Sequence, residues 1–214
     1  MYFIFNIIIL KFFLVFVMTQ GAITIITRFM LTYLTKGPAN LDIKAYSIIF
    51  TLFWGMFICS RFVSTYISLK VESIIFFFII LISNSFLCML FLVPFLVKYE
   101  IFFWICIPIL GLLQGPIMPL GLMVAKKALD FNSFVLSLLI MSMALGGMVS
   151  QQITGELLDH FRIGSHWMGF NDPNTSFIIP HLLFIYSFSS LIIFLPIFFL
   201  FRNFDQLNTF KIQI

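Results

Sequence analysis

Charged residues are scarce in this chain. Lys, Arg, Asp and Glu make up 9% of the 214 residues, whereas an ordinary soluble domain is about 25% charged. Apolar residues reach 62%, against about 45–50% in a soluble domain. This balance excludes a soluble enzyme that carries a single membrane anchor, because no stretch is polar enough to form such a domain.

Cysteine and histidine are equally rare, with 3 residues of each type. No Cys-x-x-Cys pair occurs, and the three cysteines fall inside apolar stretches, so we interpret them as small buried side chains: Cys59, Cys88 and Cys106. The histidines lack the spacing of a metal site: His160, His166 and His181. We therefore predict no catalytic residue, no bound metal and no cofactor, and we do not expect an enzyme.

Concentrated positive charge is also absent. The formal net charge is +4, and Lys126-Lys127 is the one adjacent basic pair. Scattered basic residues give no reason to expect a nucleic-acid partner. We interpret the pair as the anchor of a helix end, where long cationic side chains reach the membrane interface.

Long apolar blocks dominate what is present. A hydrocarbon core about 30 Å thick is crossed by roughly 20 residues of helix, and six blocks reach that length. The first contains Lys11 and is too long for a signal peptide, so it is predicted to be a true helix. We predict one all-α domain, residues 1–214, a polytopic membrane protein whose helices cover about Phe5–Tyr33, Ala45–Tyr66, Ile74–Leu96, Ile101–Ala125, Phe134–Thr154 and Phe177–Phe201.

The connections predict the orientation. Most turns between blocks are short, so neighbouring helices must run antiparallel. With a cytoplasmic N-terminus, more Lys and Arg residues fall on the cytoplasmic side, as the positive-inside rule requires. The sequon Asn174-Thr175-Ser176 then lies outside. We predict cytoplasmic termini, in the plasma membrane or another cellular membrane.

The fourth block contains residues that an inert apolar helix would not need. Gly111 and Gly115 form a GxxxG pair, which lets another helix approach closely. Pro116 and Pro119 each remove a backbone donor and are predicted to bend the helix. Two interpretations remain open: a gating element, or static packing around a fixed kink.

Glutamine at mid-helix is the second departure. Gly147, Gln151 and Gly155 share one face of the fifth block, and Gln20 lies midway along the first. An amide in hydrocarbon is costly unless paired, so each glutamine either bonds a neighbouring helix or lines a wet cavity. Because an amide both donates and accepts, it suits a polyhydroxyl ligand.

Two charged residues fall near the outer ends of these blocks. Arg28 lies one or two turns inside the first block, and we expect it to extend toward the outer interface more readily than to bind substrate. Glu156 is expected near the outer surface, in contact with solvent.

Three motifs, in order, resemble one family. Trp54-Gly55 followed by Ser60-Arg61 and Ser64, then Gly115-Pro116 with Pro119, then the Gly146–Gly155 stretch resemble the eighth, tenth and eleventh helices of the sodium-dependent glucose transporter-like branch of the major facilitator superfamily, also called major facilitator superfamily domain-containing protein 4. Gly55 and Arg61 match the cytoplasmic-loop motif of the superfamily, although its acidic member is missing between them.

The resemblance implies the C-terminal half of a twelve-helix transporter, built as two inverted three-helix repeats over residues 5–96 and 101–201. Gln20-Gly21 and Gln114-Gly115 would then occupy equivalent places in the two repeats. The expected substrate-binding residues are Gln20, Gln114, Gln151 and Trp54. A hexose such as glucose is the expected substrate, a complementary six-helix half the expected partner, and sodium coupling is implied by the family name.

Other functions are compatible with the same residues. The chain could be a truncated membrane protein that serves as a scaffold or has no activity, or a facilitator-type carrier of another solute. A six-helix channel would want a Gly-rich re-entrant loop, and no such loop is evident in the sequence.

Overall fold

A computed structural model describes residues 2–36, 41–129, 132–163 and 178–212. Across these residues every regular element is a helix and no strand is found. Within these described ranges, six helical spans are long and apolar enough to cross a membrane. The prediction of an all-α, multi-pass membrane protein is confirmed. The sequon at 174–176 and His166 lie outside the described residues.

The helices follow the predicted blocks in order. The fourth span is divided into α4 and α5, and α6 and α7 continue well beyond the predicted ends at Thr154 and Phe201. The bounds are α1 Tyr2–Lys36, α2 Ile43–Ile67, α3 Ser73–Leu90, a 3₁₀ turn Leu96–Lys98, α4 Glu100–Gln114, α5 Ile117–Ala128, α6 Ser133–Ile163 and α7 Ile178–Ile212.

Proline accounts for two differences from the prediction. α3 ends at Leu90, before the predicted end at Leu96, because Pro94 lacks a backbone donor and disfavours a helical residue before it. The chain continues through tight turns, in which Leu92 N donates to Met89 O at 3.0 Å. In the fourth span the helix breaks at Gly115-Pro116, between α4 and α5.

The buried apolar side chains form two clusters, one at each end of the bundle's spans. Along α1 the first cluster begins at Ala22 and the second ends at Phe16. Along α7 they are separated between Tyr186 and Phe194. Buried small and polar residues occupy the interval, and we call them the middle layer: Thr19, Gly21, Asn84, Ser85, Gly111, Gln114, Gly115, Gly146, Ser150, Ser187 and Ser190.

Most of the serine and threonine hydroxyl groups within the spans donate to a carbonyl of their own helix. Thr19 Oγ1 donates to Phe16 O at 3.2 Å, Ser60 Oγ to Phe57 O at 2.9 Å, and Ser190 Oγ to Ser187 O at 2.7 Å. Lipid offers no alternative partner, so bonding to the preceding turn is the local solution for Ser and Thr.

Two helix crossings bring backbone against backbone. A Cβ added at Gly111 would collide with the carbonyl oxygen of Phe53, and one at Gly115 with that of Phe57. A Cβ at Gly146 would collide with the carbonyl oxygen of Val17. Glycine is therefore what allows α4 to lie on α2, and α6 on α1, at such close range.

The α2–α4 crossing yields a testable expectation. We expect Gly111→Ala to lower the free energy of unfolding by about 1–3 kcal/mol, because the added methyl meets a backbone atom that has no rotamer with which to move away. Gly55→Ala is the matched control, since no atom lies within 4 Å of a Cβ placed there. It is expected to be neutral or stabilising by up to about 1 kcal/mol. Thermal unfolding of both variants in one detergent gives the comparison, and equal effects would mean that the two helices are not in close contact.

Candidate functional site

One cleft of about 550 Å³ lies among α1, α2 and α6. That volume is within the range of about 300–1,000 Å³ typical of small-molecule sites. Its lining combines side-chain amides, hydroxyl groups, one guanidinium and aromatic rings. They belong to Gln20, Thr24, Thr27, Arg28, Phe50, Trp54 and Gln151, with Ile23, Ala144, Gly147 and Met148 completing the walls.

Helix α1 supplies the polar wall. Gln20, Thr24, Thr27 and Arg28 follow one another at helical spacing and so share one face over two turns. Thr24 Oγ1 donates to Gln20 O at 3.0 Å, and Thr27 Oγ1 to Thr24 O at 3.2 Å. The Gln20 side-chain amide makes no hydrogen bond to another described residue, so both its donor and its acceptor are available to a ligand.

Helix α6 supplies Gly147 and Gln151, one turn apart. The Gln151 side chain is exposed and makes no hydrogen bond among the described residues, so its amide faces the cleft without a partner helix. Gly155 behaves differently from the expectation of close packing, since no atom lies within 4 Å of a Cβ placed there. The reason is the side of the helix on which it lies: the stripe of α6 that begins at Gly146 stays buried through Ser150 and Thr154, whereas Gly155 shares the face of Gly147 and Gln151, which lines the cleft.

Helix α2 supplies the aromatic wall. Trp54 packs edge-on against Phe53 with ring centres 5.5 Å apart, and against Phe57 at 5.3 Å. These contacts fix the indole while 37% of the residue stays exposed. A fixed aromatic surface of this kind can cover the apolar face of a sugar ring.

Gln114 is not part of the cleft. It is 1% exposed, lies in the middle layer, and neither Oε1 nor Nε2 has a hydrogen-bond partner among the described residues. The sequence could not separate Gln114 from Gln20, because each glutamine precedes a glycine in an apolar helix. Its burial in the tertiary structure is what separates it from Gln20.

Arg61 has a role that the sequence interpretation missed. Gly55 and Arg61 both lie within α2, which continues to Ile67, so they do not form a loop; no proline or other helix breaker separates them. Arg61 Nε donates to Gly115 O at 3.2 Å, and its guanidinium lies 4.6 Å from the centre of the Phe57 ring. Gly115 O is available because residue 119, its helical donor, is proline. The signal in the sequence was Pro119, four residues after Gly115, because a proline has no N–H to donate to the carbonyl oxygen one turn earlier.

A polar contact between α3 and α7 was also missed. Asn84 Nδ2 donates to Ser187 Oγ at 3.2 Å, and Ser85 Oγ donates to Ser187 O at 3.0 Å. Cys88 Sγ hydrogen-bonds with the same Ser187 hydroxyl at 3.2 Å. The available signal was Ser83-Asn84-Ser85 in the centre of an apolar block, which requires a partner on a neighbouring helix.

Neither a metal-binding cluster nor a known relative identifies the site. Among the described residues, no group of three or more His, Cys, Asp or Glu side chains could hold a metal ion. No known protein family, curated protein or solved structure matches this chain. The chemistry of the cleft is therefore argued from its own residues.

The Arg61–Gly115 contact can be tested with a double-mutant cycle. We expect Arg61→Met to cost about 1 kcal/mol of stability, because it leaves Gly115 O without a donor. In a Pro119→Ala background, the restored N–H of residue 119 can reach that carbonyl, so the same substitution is expected to cost close to nothing. Thermal unfolding of the four proteins measures the coupling. An equal cost in both backgrounds would contradict the proposed role of Arg61.

Gln114 and Asn84 both carry buried side-chain amides, and we expect their substitution by leucine to change stability in opposite directions. Gln114→Leu removes an amide that has no partner among the described residues, so stability is expected to rise by about 1–2 kcal/mol. Asn84→Leu also removes a buried oxygen, Oδ1, that has no partner among the described residues, but it breaks the hydrogen bond from Nδ2 to Ser187, so stability is expected to fall by up to about 0.6 kcal/mol. The measurement is thermal unfolding in lipid nanodiscs. A loss for Gln114→Leu as large as that for Asn84→Leu would show that Gln114 is hydrogen-bonded in the folded protein.

Proposed function

We propose that this six-helix unit transports a small polar solute, a hexose such as glucose, by alternating access. The observation that supports this most is the convergence of Gln20, Trp54 and Gln151, from three different helices, on one cleft. Free amides can pair with hydroxyl groups as donors and as acceptors. The indole gives a sugar ring an apolar surface, so the cleft contains the two kinds of contact that a hexose requires.

Two inverted three-helix repeats are the architecture that we propose for the unit. The packed pairs support it: α1 packs on α6 and α2 on α4, while α1 packs on α7 and α3 on the fourth span. If the first, second and third spans are exchanged with the fourth, fifth and sixth, the contact between the first and fifth spans becomes the contact between the fourth and second. In the same way, the contact between the first and sixth spans becomes the contact between the fourth and third. A Cβ added at Gly21 would lie 3.3 Å from Ser150 Cβ, and one added at Gly115 would collide with Ser60 Oγ, so in each proposed repeat the glycine after the glutamine faces a serine of the helix that it crosses.

The broken fourth span is the element that we propose for gating. Gly111 and Gly115 keep α4 against α2, and Pro116 and Pro119 leave the junction with α5 short of backbone hydrogen bonds. Arg61 provides one replacement bond from α2. A junction held by a side chain can change its angle at lower cost than a continuous helix.

The cleft provides the polar and aromatic contacts for binding, and we propose that a complementary six-helix half closes the cavity over the bound solute, so that binding is measurable on this half while transport needs both. Both termini are proposed to be cytoplasmic, which places the exposed Lys126 and Lys127, at the end of α5, on the positive-inside surface. Sodium coupling has no support from the cleft, because no carboxylate is found among its described lining residues.

Gln151 and its neighbour provide the test. We expect Gln151→Leu to weaken glucose binding about threefold to tenfold, the value of one lost hydrogen bond, while stability stays unchanged because the amide bonds no helix. Gln152→Leu is the matched control, since Gln152 Nε2 donates to Glu156 Oε1 at 2.7 Å on the adjoining face and does not line the cleft. It is expected to leave binding unchanged. Equilibrium dialysis of labelled glucose against the purified chain in lipid nanodiscs, with thermal unfolding in parallel, measures both quantities.

The outcomes separate the proposal from its alternatives. Equal effects of the two substitutions on glucose binding would remove Gln151 from the site. No glucose binding by the unaltered chain would argue against a hexose, and no binding of any small polar solute would favour a membrane protein that does not transport.

A further inference from the structure

The cleft contains one charged side chain among its described lining residues, and it is Arg28. The residue lies inside the first membrane span, Ile7–Thr35, two turns beyond Gln20. A cation at such a position is costly and is normally paired. Arg28 is exposed, and it makes no hydrogen bond or ion pair with another described residue. From the sequence alone we expected the Arg28 side chain to extend toward the outer interface. In the structure Arg28 lines the cleft.

The nearest candidate for a counter-charge on α6 is engaged elsewhere. α1 and α6 run parallel, since Val17 lies against Gly146 and Gly21 against Ser150, and this register brings Glu156 to about the height of Arg28. The Glu156 carboxylate accepts the hydrogen bond from Gln152 on the adjoining face of α6 and does not line the cleft. The described lining therefore carries an uncompensated positive charge.

The combination of one guanidinium with amides and an indole defines a class of ligand. A guanidinium binds a carboxylate through two parallel N–H···O bonds, a geometry that a neutral hydroxyl does not match. Gln20 is about 12 Å along the helix axis from Arg28, at 1.5 Å per residue. The arginine side chain and an intervening ligand can together cover that distance, with Thr24 and Thr27 between them.

We propose that the preferred solute is a sugar acid, a polyhydroxylated monocarboxylate, whose carboxylate binds Arg28 and whose hydroxyl groups bind Gln20 and Gln151. The inference rests on the proposed function, namely that the cleft is a solute site. A single guanidinium balances the single charge of a carboxylate, and the rest of the lining keeps its role toward the ring.

Glucose and glucuronate are the probes, because they differ only at carbon 6, which is a hydroxymethyl group in glucose and a carboxylate group in glucuronate. Binding of each to the purified full chain in uncharged lipid nanodiscs is measured by equilibrium dialysis. We expect glucuronate to bind roughly tenfold to a hundredfold more tightly than glucose, the range for hydrogen bonds that involve a charged group. Arg28→Gln is expected to lose most of this preference with an unchanged unfolding temperature, because the side chain has no described partner.

Lys44→Gln is the matched control. Lys44 is exposed at the start of α2 and does not line the cleft, so the same change of charge is expected to leave the glucuronate preference intact. A preference that survives in Arg28→Gln, or that falls equally in Lys44→Gln, overturns the role of Arg28. Equal binding of glucose and glucuronate overturns the sugar-acid inference while the proposed sugar site stands. Binding of neither overturns the proposed function, and this inference with it.

Discussion

Hydrocarbon offers no hydrogen-bond partners, so the helices of this protein must satisfy their own polar groups. The middle layer shows how this is done. Most serine and threonine hydroxyls bond the preceding turn of their own helices, whereas Asn84 and Ser85 reach across to Ser187. Arg61 reaches the carbonyl that Pro119 leaves without a donor. Glutamines that escape this rule are few, and two of them, Gln20 and Gln151, face the same cleft.

Small residues set the distance between neighbouring helices. Glycines 111, 115 and 146 bring α4 onto α2 and α6 onto α1 at backbone distance. The neighbouring face of α6 is open: Gly147 and Gln151 line the cleft, and at Gly155 no neighbouring atom lies within 4 Å of an added Cβ. Gln20 and Gln151 line the cleft beside the α1–α6 crossing, so the glycine that brings α6 onto α1 also brings the two amides to the same cleft.

Two arginines within the spans show how context decides the role of the same side chain. Arg61 has a backbone carbonyl and the Phe57 ring beside it, and it completes the structure of the broken fourth span. Arg28 has no described partner and lines the cleft. Both cost free energy in a membrane. For Arg61 the protein itself provides the compensation, whereas for Arg28 a ligand is the group that can provide it.

The sequence by itself determined the number of spans, their order and their helical nature, because block length and apolar composition are local properties and lipid permits no other structure for such blocks. Gln20, Gln114 and Gln151 looked alike at that level, each an amide within an apolar helix. Only the tertiary structure decided that Gln20 and Gln151 meet Trp54 at a cleft while Gln114 is buried in the middle layer. The direction in which a helix face points depends on which helix packs against each glycine. Such packing is a contact between residues far apart in the chain, so a local sequence pattern does not determine it.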